Sequence, residues 1–273
     1  MKTKIFVCSN SSIDYLPHNE MISSIPVILK VSDNEMYEDY IDVNIEAFYN
    51  RIRMDKYVKV TPVFQNYTKI LEYINEVKAQ GYQQVLFLLS ANIFSDLYIS
   101  ISIAMSEHKD IKYVIFDSES CGYPLSYMAT EASNLLLSEE ALDDILNHLE
   151  FLKNNQKIYF YKYEKINEMS KSFLKKYKKG KLLKLTNGKL ETVNTSKMLP
   201  LDFVIEELKD KIDETEIIPF LMYTDKTTRY INIIEEELIK SNIKFKRLKI
   251  VPIAPGVGIK VGVNTIAIGY IVK

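Results

Sequence analysis

The stretch SANIFSD at residues 90–96 places Ser90, Asn92, Ser95 and Asp96 directly after the apolar run QVLFLLS at 84–90. Hydroxyls and an amide supply hydrogen bonds to an anionic group. A polar turn between a buried strand and a helix is also where an α/β fold holds a ligand's polar end. Phe94 and Leu97 stand in the same stretch, where small residues and hydroxyls are expected. Each therefore either lines an apolar channel or blocks it.

Other chemistry is thinly represented. There is no G-x-x-x-x-G-K-[ST] loop for phosphates and no G-x-S-x-G turn for a nucleophile. After the first strand CSNSSID stands where a dinucleotide site has G-x-G-x-x-G. His18, His108 and His148 have no partner at metal-ligand spacing, so they read as surface histidines. Cys8 and Cys121 lack both metal spacing and a thiolate-stabilising setting, and they fit a reducing compartment. No catalytic residue, metal or cofactor is expected.

The chain has 273 residues, 47% of them apolar, enough for one large or two modest domains with a real core. With 26% charged residues and a net charge of −1, no global field favours nucleic acid, which is not an expected partner. The first residues, MKTKIFVCSNSS, hold too short an apolar run for a signal peptide. The uncharged stretch Gly81 to Ser95 is too short and polar to span a bilayer. A cytoplasmic protein is expected.

The elements that must position these residues alternate. Apolar runs at 4–9, 25–31, 84–90 and 111–118 read as strands, the third apolar on both faces like a central parallel strand. Ile45, Phe48, Tyr49 and Ile52 recur at helical spacing, and further helices are expected over 65–79, after Asp96, and over 124–136 and 139–153. This order predicts a doubly wound, mainly parallel sheet over residues 1–154. A smaller α/β domain is expected over 155–273, with a hairpin turning at Asn187-Gly188, where both residues tolerate positive φ. The stretch Lys162 to Lys184 carries nine lysines. It reads either as a solvated helix face or as a peripheral contact for an anionic membrane or acidic partner.

Taken together and in order, several segments resemble the DegV family of bacterial lipid-binding proteins. KIFVCSNSSIDYLP is similar to that family's strand and Asp-Ser-x-x-Asp-Leu-Pro, with Asn10, Ser11 and Asp14 in those places. SIPVILKVSDNEMYEDYIDVNIEAFYNRI resembles its next strand and Tyr-x-Asp turn (Tyr37, Asp39), and IKYVIFDSES its Ile-Asp-Ser strand (Asp117, Ser118). The hairpin KLTNGKLETV and the closing APGVGIKVGVNTIAIGYIVK complete the likeness. The resemblance implies a two-domain α/β fold that buries one long-chain fatty acid in its first domain. The carboxylate would lie near the domain junction, sometimes presented to a separate fatty acid kinase subunit. The binding protein itself is not an enzyme.

Against that pattern the head-group residues differ. KVTP replaces Thr-Ser-x-Pro, putting Thr61 beside the lost hydroxyl pair, and SANIFSD replaces Ser-Ser-x-Leu-Ser-Gly-Thr, retaining Ser90 but placing Phe94 at the later serine. Lys260 corresponds to the closing histidine, and Gly262, Val263 and Asn264 to its Gly-Pro-Gly. Three readings stand. In the first, Thr61, Ser90, Asn92, Ser95, Lys260 and Asn264 form a rewired carboxylate site. In the second, the tunnel takes a different lipid. In the third, Phe94 and Leu97 fill the cavity and the chain is a degenerate member acting as a protein-interaction module.

Overall fold

The computed structural model describes residues 1–32, 35–55, 57–163, 181–194, 200–214, 216–225, 229–240 and 248–273. In its first half run β1 (Thr3–Cys8), β2 (Ile22–Ile25), β3 (Ile28–Val31), β4 (Glu35–Glu38), α1 (Ile45–Met54), β5 (Val60–Val63) and α2 (Tyr67–Ala79). They are followed by β6 (Gln84–Leu89), α3 (Leu97–Ser106), β7 (Lys112–Asp117), α4 (Tyr123–Leu137) and α5 (Leu142–Asn154). The second half contains β8 (Gln156–Lys162), β9 (Lys181–Thr186), β10 (Lys189–Thr192), a helix α6 (Pro200–Glu214) and β11 (Ile217–Tyr223). It closes with α7 (Arg229–Lys240), β12 (Lys249–Pro252), α8 (Pro255–Val261) and β13 (Thr265–Val272).

The parallel sheet has the order β2-β1-β6-β7. All six residues of β1 and all six of β6 are buried, because these central strands are covered on both faces. The expected strand over 25–31 is divided in the structure. Its beginning belongs to β2, while β3 pairs antiparallel with β4 and β5 in a separate three-stranded sheet. Pro26 lies at the break, where its missing N–H ends the ladder. Asn44 caps α1 by accepting from the Ala47 N–H at 3.0 Å, and Asn66 caps α2 by accepting from the Lys69 N–H at 3.0 Å. Each cap satisfies an otherwise orphaned donor, worth about 1 kcal/mol.

The six-stranded sheet has the order β10-β9-β8-β13-β11-β12. Its two faces have different partners, and the strand period of two sorts them. Ile158, Phe160, Phe220, Met222, Ala267 and Ile271 join the core of the first half. The alternate residues Tyr159, Tyr161, Leu221, Ile266, Ile268 and Tyr270 pack with Val204, Leu208, Ile234 and Leu238 of α6 and α7. Only Asn155 lies between α5 and β8. The Asn187-Gly188 turn joins β9 to β10, with φ of 46° and 70°. Among the described residues no helix is long and apolar enough to cross a membrane.

Candidate functional site

The connection from β1 leads to β2 on one side, whereas β6 leads to β7 on the other. The winding of the sheet therefore reverses between the parallel neighbours β1 and β6, and in such sheets the crevice beyond the carboxyl ends of those strands is the usual ligand position. Residues 9–12 and 90–96 fill it. Ser9, Asn10, Ser11, Ser12, Ser90 and Ser95 are all buried there.

Most of these groups are committed to holding loops in place. Ser9 Oγ donates to Asp39 Oδ2 at 2.9 Å and accepts from the Val27 N–H at 3.0 Å. Asn10 Nδ2 donates to the Phe94 carbonyl at 2.8 Å, tying the two loops together across the crevice. Ser12 Oγ donates to the Pro252 carbonyl at 2.9 Å, and Ser95 Oγ accepts from the Leu97 N–H at 3.3 Å at the start of α3. Among the described residues of these two loops, the buried side-chain atoms without a hydrogen-bond partner are Asn10 Oδ1 and Ser90 Oγ. Ser90 lies beside Cys8, whose thiol burial pushes up in pKa.

The second half closes over this crevice. A Cβ added at Gly256 would stand 2.2 Å from Asn10 Oδ1, and one at Gly258 would stand 2.0 Å from the Tyr49 hydroxyl. The two glycines thus let α8 approach closely. Tyr49 Oη donates to the carbonyls of Ile253 and Ala254 at 2.8 and 3.2 Å. Arg53, also on α1, donates to the Thr224 and Val263 carbonyls at 3.3 and 3.2 Å. Deeper in the seam, the Phe94 ring lies 6.5 Å from Phe160 and Tyr123 lies 5.7 Å from Phe220. Between α1 and the three-stranded sheet, Val31, Val43, Phe48, Ile52 and Val60 line an apolar cavity of about 170 Å³.

The residues singled out in the sequence separate into two groups. Ser90, Phe94, Ser95 and Leu97 come together at the β6–α3 junction, with Phe94 and Leu97 each only 1% exposed. Thr61 is exposed on β5 opposite Lys30, Asn92 is exposed in the turn, and Lys260 is exposed in the last turn of α8. Asn264 is half-buried, and its carbonyl accepts from the Tyr163 N–H at 3.0 Å. Most of the lysine-rich stretch lies outside the described residues. Sequence reasoning missed Tyr49, Arg53 and the pairing of Asn10 with α8. The signal available for them was the two small residues Gly256 and Gly258 flanking Val257, a spacing suited to close backbone approach.

Comparison with known proteins places this geometry among relatives. A DegV domain-containing protein of Clostridium perfringens is 23% identical over 158 residues, which span 55% of this chain and 53% of that protein. The chain therefore matches about half the length of that curated relative. A Streptococcus agalactiae structure described as a fatty acid binding DegV family protein superposes with a TM-score of 0.81 at 16% identity. That superposition covers 100% of this chain and 99% of the other. A Thermus thermophilus DegV family structure, described by its fatty acid binding, gives 0.80 at 14% identity with 100% of both chains covered. A family model described as "Uncharacterised protein, DegV family" matches residues 2–273, and the chain belongs to the DegV family.

Proposed function

We propose that this chain binds a long-chain fatty acid. Its tail would be buried in an N-terminal unit over residues 1–154, and its carboxylate would lie at the junction with a C-terminal unit over 155–273. The observation that carries this reading is the pair of unpartnered buried atoms, Ser90 Oγ and Asn10 Oδ1, at the ends of β6 and β1. Buried polar groups are nearly always paired, so an unpaired pair at a topological switch point marks a place for a polar ligand atom. The fatty acid binding described for the Streptococcus agalactiae and Thermus thermophilus structures supports the same ligand class.

In this reading the Ser90 hydroxyl donates to the carboxylate, while Asn10 Oδ1 accepts from a bridging water or a protonated head group. Ser95 is the neighbouring hydroxyl, and Thr61, Asn92 and Asn264 form the outer polar rim. Lys260 supplies the counter-charge. The tail provides most of the affinity, at about 0.8 kcal/mol per buried methylene. The chain acts as the non-catalytic binding partner, and a separate kinase subunit acts on the presented carboxylate.

A second reading draws on Phe94 and Leu97, which are packed into the continuous core with Phe94 against Phe160. That packing favours a ligand-free family member with an interaction role. Native mass spectrometry of the freshly purified protein separates the two. A co-purified acyl mass that is lost in Ser90→Ala supports the carrier. An unliganded mass that stays unchanged on incubation with oleate supports the packed relative.

A further inference from the structure

Among the described residues, six strands lie at the edges of the three sheets: β2 and β7, β10 and β12, β4 and β5. An edge strand offers unpaired N–H and C=O groups to any other strand, and proteins blunt it with charges, proline or brevity. Five of the six are blunted in this way. Strand β2 has four residues and is followed by Pro26, while β5 and β12 contain Pro62 and Pro252. Strand β4 begins and ends in glutamate, and β10 carries Lys189 and Glu191. Strand β7, KYVIFD, is the exception: it has six residues, with neither proline nor charge in its central four.

Its pairing with β6 fixes which groups face outward. The N–H groups of Lys112 and Ser118 donate to the carbonyls of Gln83 and Leu89, each at 3.1 Å. The even-numbered residues therefore turn their backbone groups to β6, and Tyr113, Ile115 and Asp117 turn theirs away from the sheet. Ile115 is in register with Phe87 and Phe87 with Phe6, whose ring lies 5.9 Å from Tyr73 of α2. Tyr113 and Ile115 thus share the α2 side of the sheet. Helix α3 packs beside α2, carries no charged residue, and exposes Tyr98, Ile99 and Ile103. Phe116 is on the opposite side, its ring 5.7 Å from Lys153 Nζ of α5.

We propose that the outer edge of β7 is a homodimer interface, pairing antiparallel with the same strand of a second copy about a two-fold axis at Ile115. The two four-stranded sheets then join into one continuous sheet. The occupant is a second copy because the edge is self-complementary. In this register every outward residue finds a partner: Ile115 faces its own counterpart, Tyr113 faces Asp117, and Val114 lies beside Phe116 in the alternate pairs. Antiparallel pairing also brings the Lys112 end of one strand beside the Asp117 end of the other, whereas a parallel copy would set like charges together. Tyr98, Ile99 and Ile103 of α3 add apolar surface beside the paired edge, as the centre of such an interface requires. None of these residues belongs to the carboxylate site of the lipid reading, and the interface does not depend on it.

The test is sedimentation equilibrium of the full chain across the micromolar range, joined to residue-resolved hydrogen exchange. The expected result is a dimer in which the Tyr113, Ile115 and Asp117 amides exchange at least ten-fold more slowly than in dilute protein. The Val114 and Phe116 amides, held by β6 in both states, should not change. Ile115→Lys sets two ammonium groups face to face at the axis and should leave a folded monomer, with its circular dichroism spectrum unchanged. If that variant fails to fold, Tyr113→Glu, on an exposed residue opposite Asp117, takes its place and should weaken association at least ten-fold. A chain that stays monomeric throughout overturns the proposal. So does a dimer that leaves the three outward amides unprotected, or one whose affinity a folded Ile115→Lys or, failing that, Tyr113→Glu does not change. Acyl occupancy is read separately by mass, so failure of either proposal leaves the other standing.

Discussion

The seam between the two halves and the cavity beside α2 both bury polar side chains, but they use them differently. In the seam, hydroxyls and amides are directed at loop carbonyls and at the neighbouring half, with Asn10 Oδ1 and Ser90 Oγ left uncommitted. In the wall of the cavity between β2 and α2, Asp39 is enclosed, with its Oδ2 taken by Ser9, while Glu76 stands exposed at the rim. Burial of a polar group is therefore a poor marker of a binding site by itself. Unfilled hydrogen-bonding capacity is the better one, and it separates structural polarity from polarity held ready for a ligand.

The largest effect that would break this contrast is in the seam. Phe94→Ala removes a fully buried ring between the halves and should destabilise the protein by about 3–5 kcal/mol in denaturant melts. A loss below 1 kcal/mol would show that the seam is not tightly packed around it. Next comes Gly258→Ala, whose new methyl must displace the Tyr49 hydroxyl; overpacking of this kind costs about 1–3 kcal/mol. If Tyr49→Phe in the same chain restores the melting temperature, the clash is with that hydroxyl and no other atom. Tyr49→Phe alone should lose about 1 kcal/mol, the net worth of a hydrogen bond to a buried carbonyl.

In the cavity the expected sign is opposite. The folded protein raises Asp39 from 3.8 to about 7, so it holds that proton more tightly than the unfolded chain does. The resulting stabilisation is complete below the unfolded value and disappears as pH rises through about 7. Asp39→Asn should therefore gain in melting temperature over the natural chain at pH 8 more than at pH 5. Equal differences at both pH values would show that Asp39 titrates normally. The smallest effects belong to the exposed residues: Thr61→Ala and Lys260→Ala should leave the melting temperature within error, because neither is packed.

Much of the fold was legible because its signals are local. The central strands announce themselves as continuous apolar runs, and α1 and α5 as apolar residues at helical spacing. The hairpin is written in Asn187-Gly188. What escaped was set by contacts distant in sequence. Helix α8 begins Pro-Gly-Val-Gly, which reads as a turn until α1 and Asn10 are packed against it. The three-stranded sheet is built from strands of four residues, one of them containing Pro62, too short for a reliable period. At the site, the sequence located the β6–α3 junction and its conflict between hydroxyls and Phe94. It did not reveal that Thr61, Asn92 and Lys260 would be exposed, since a side chain's burial depends on what folds over it. Asp39 was visible only as part of a turn motif; its enclosure is a property of tertiary structure.

The placement of β13 has a consequence for how the molecule is made. This strand is central in the six-stranded sheet, between β8 and β11, yet it follows both of them and all the sheet's other strands in the chain. Until it has been synthesised, the β8–β9–β10 meander and the β11–β12 pair have unsatisfied inner edges and nothing to join them. Ala267 and Ile271 also belong to the core shared with the first half, so that seam matures at the same moment. A nascent chain stalled before residue 265 should expose both edges together and be a preferred client for chaperones.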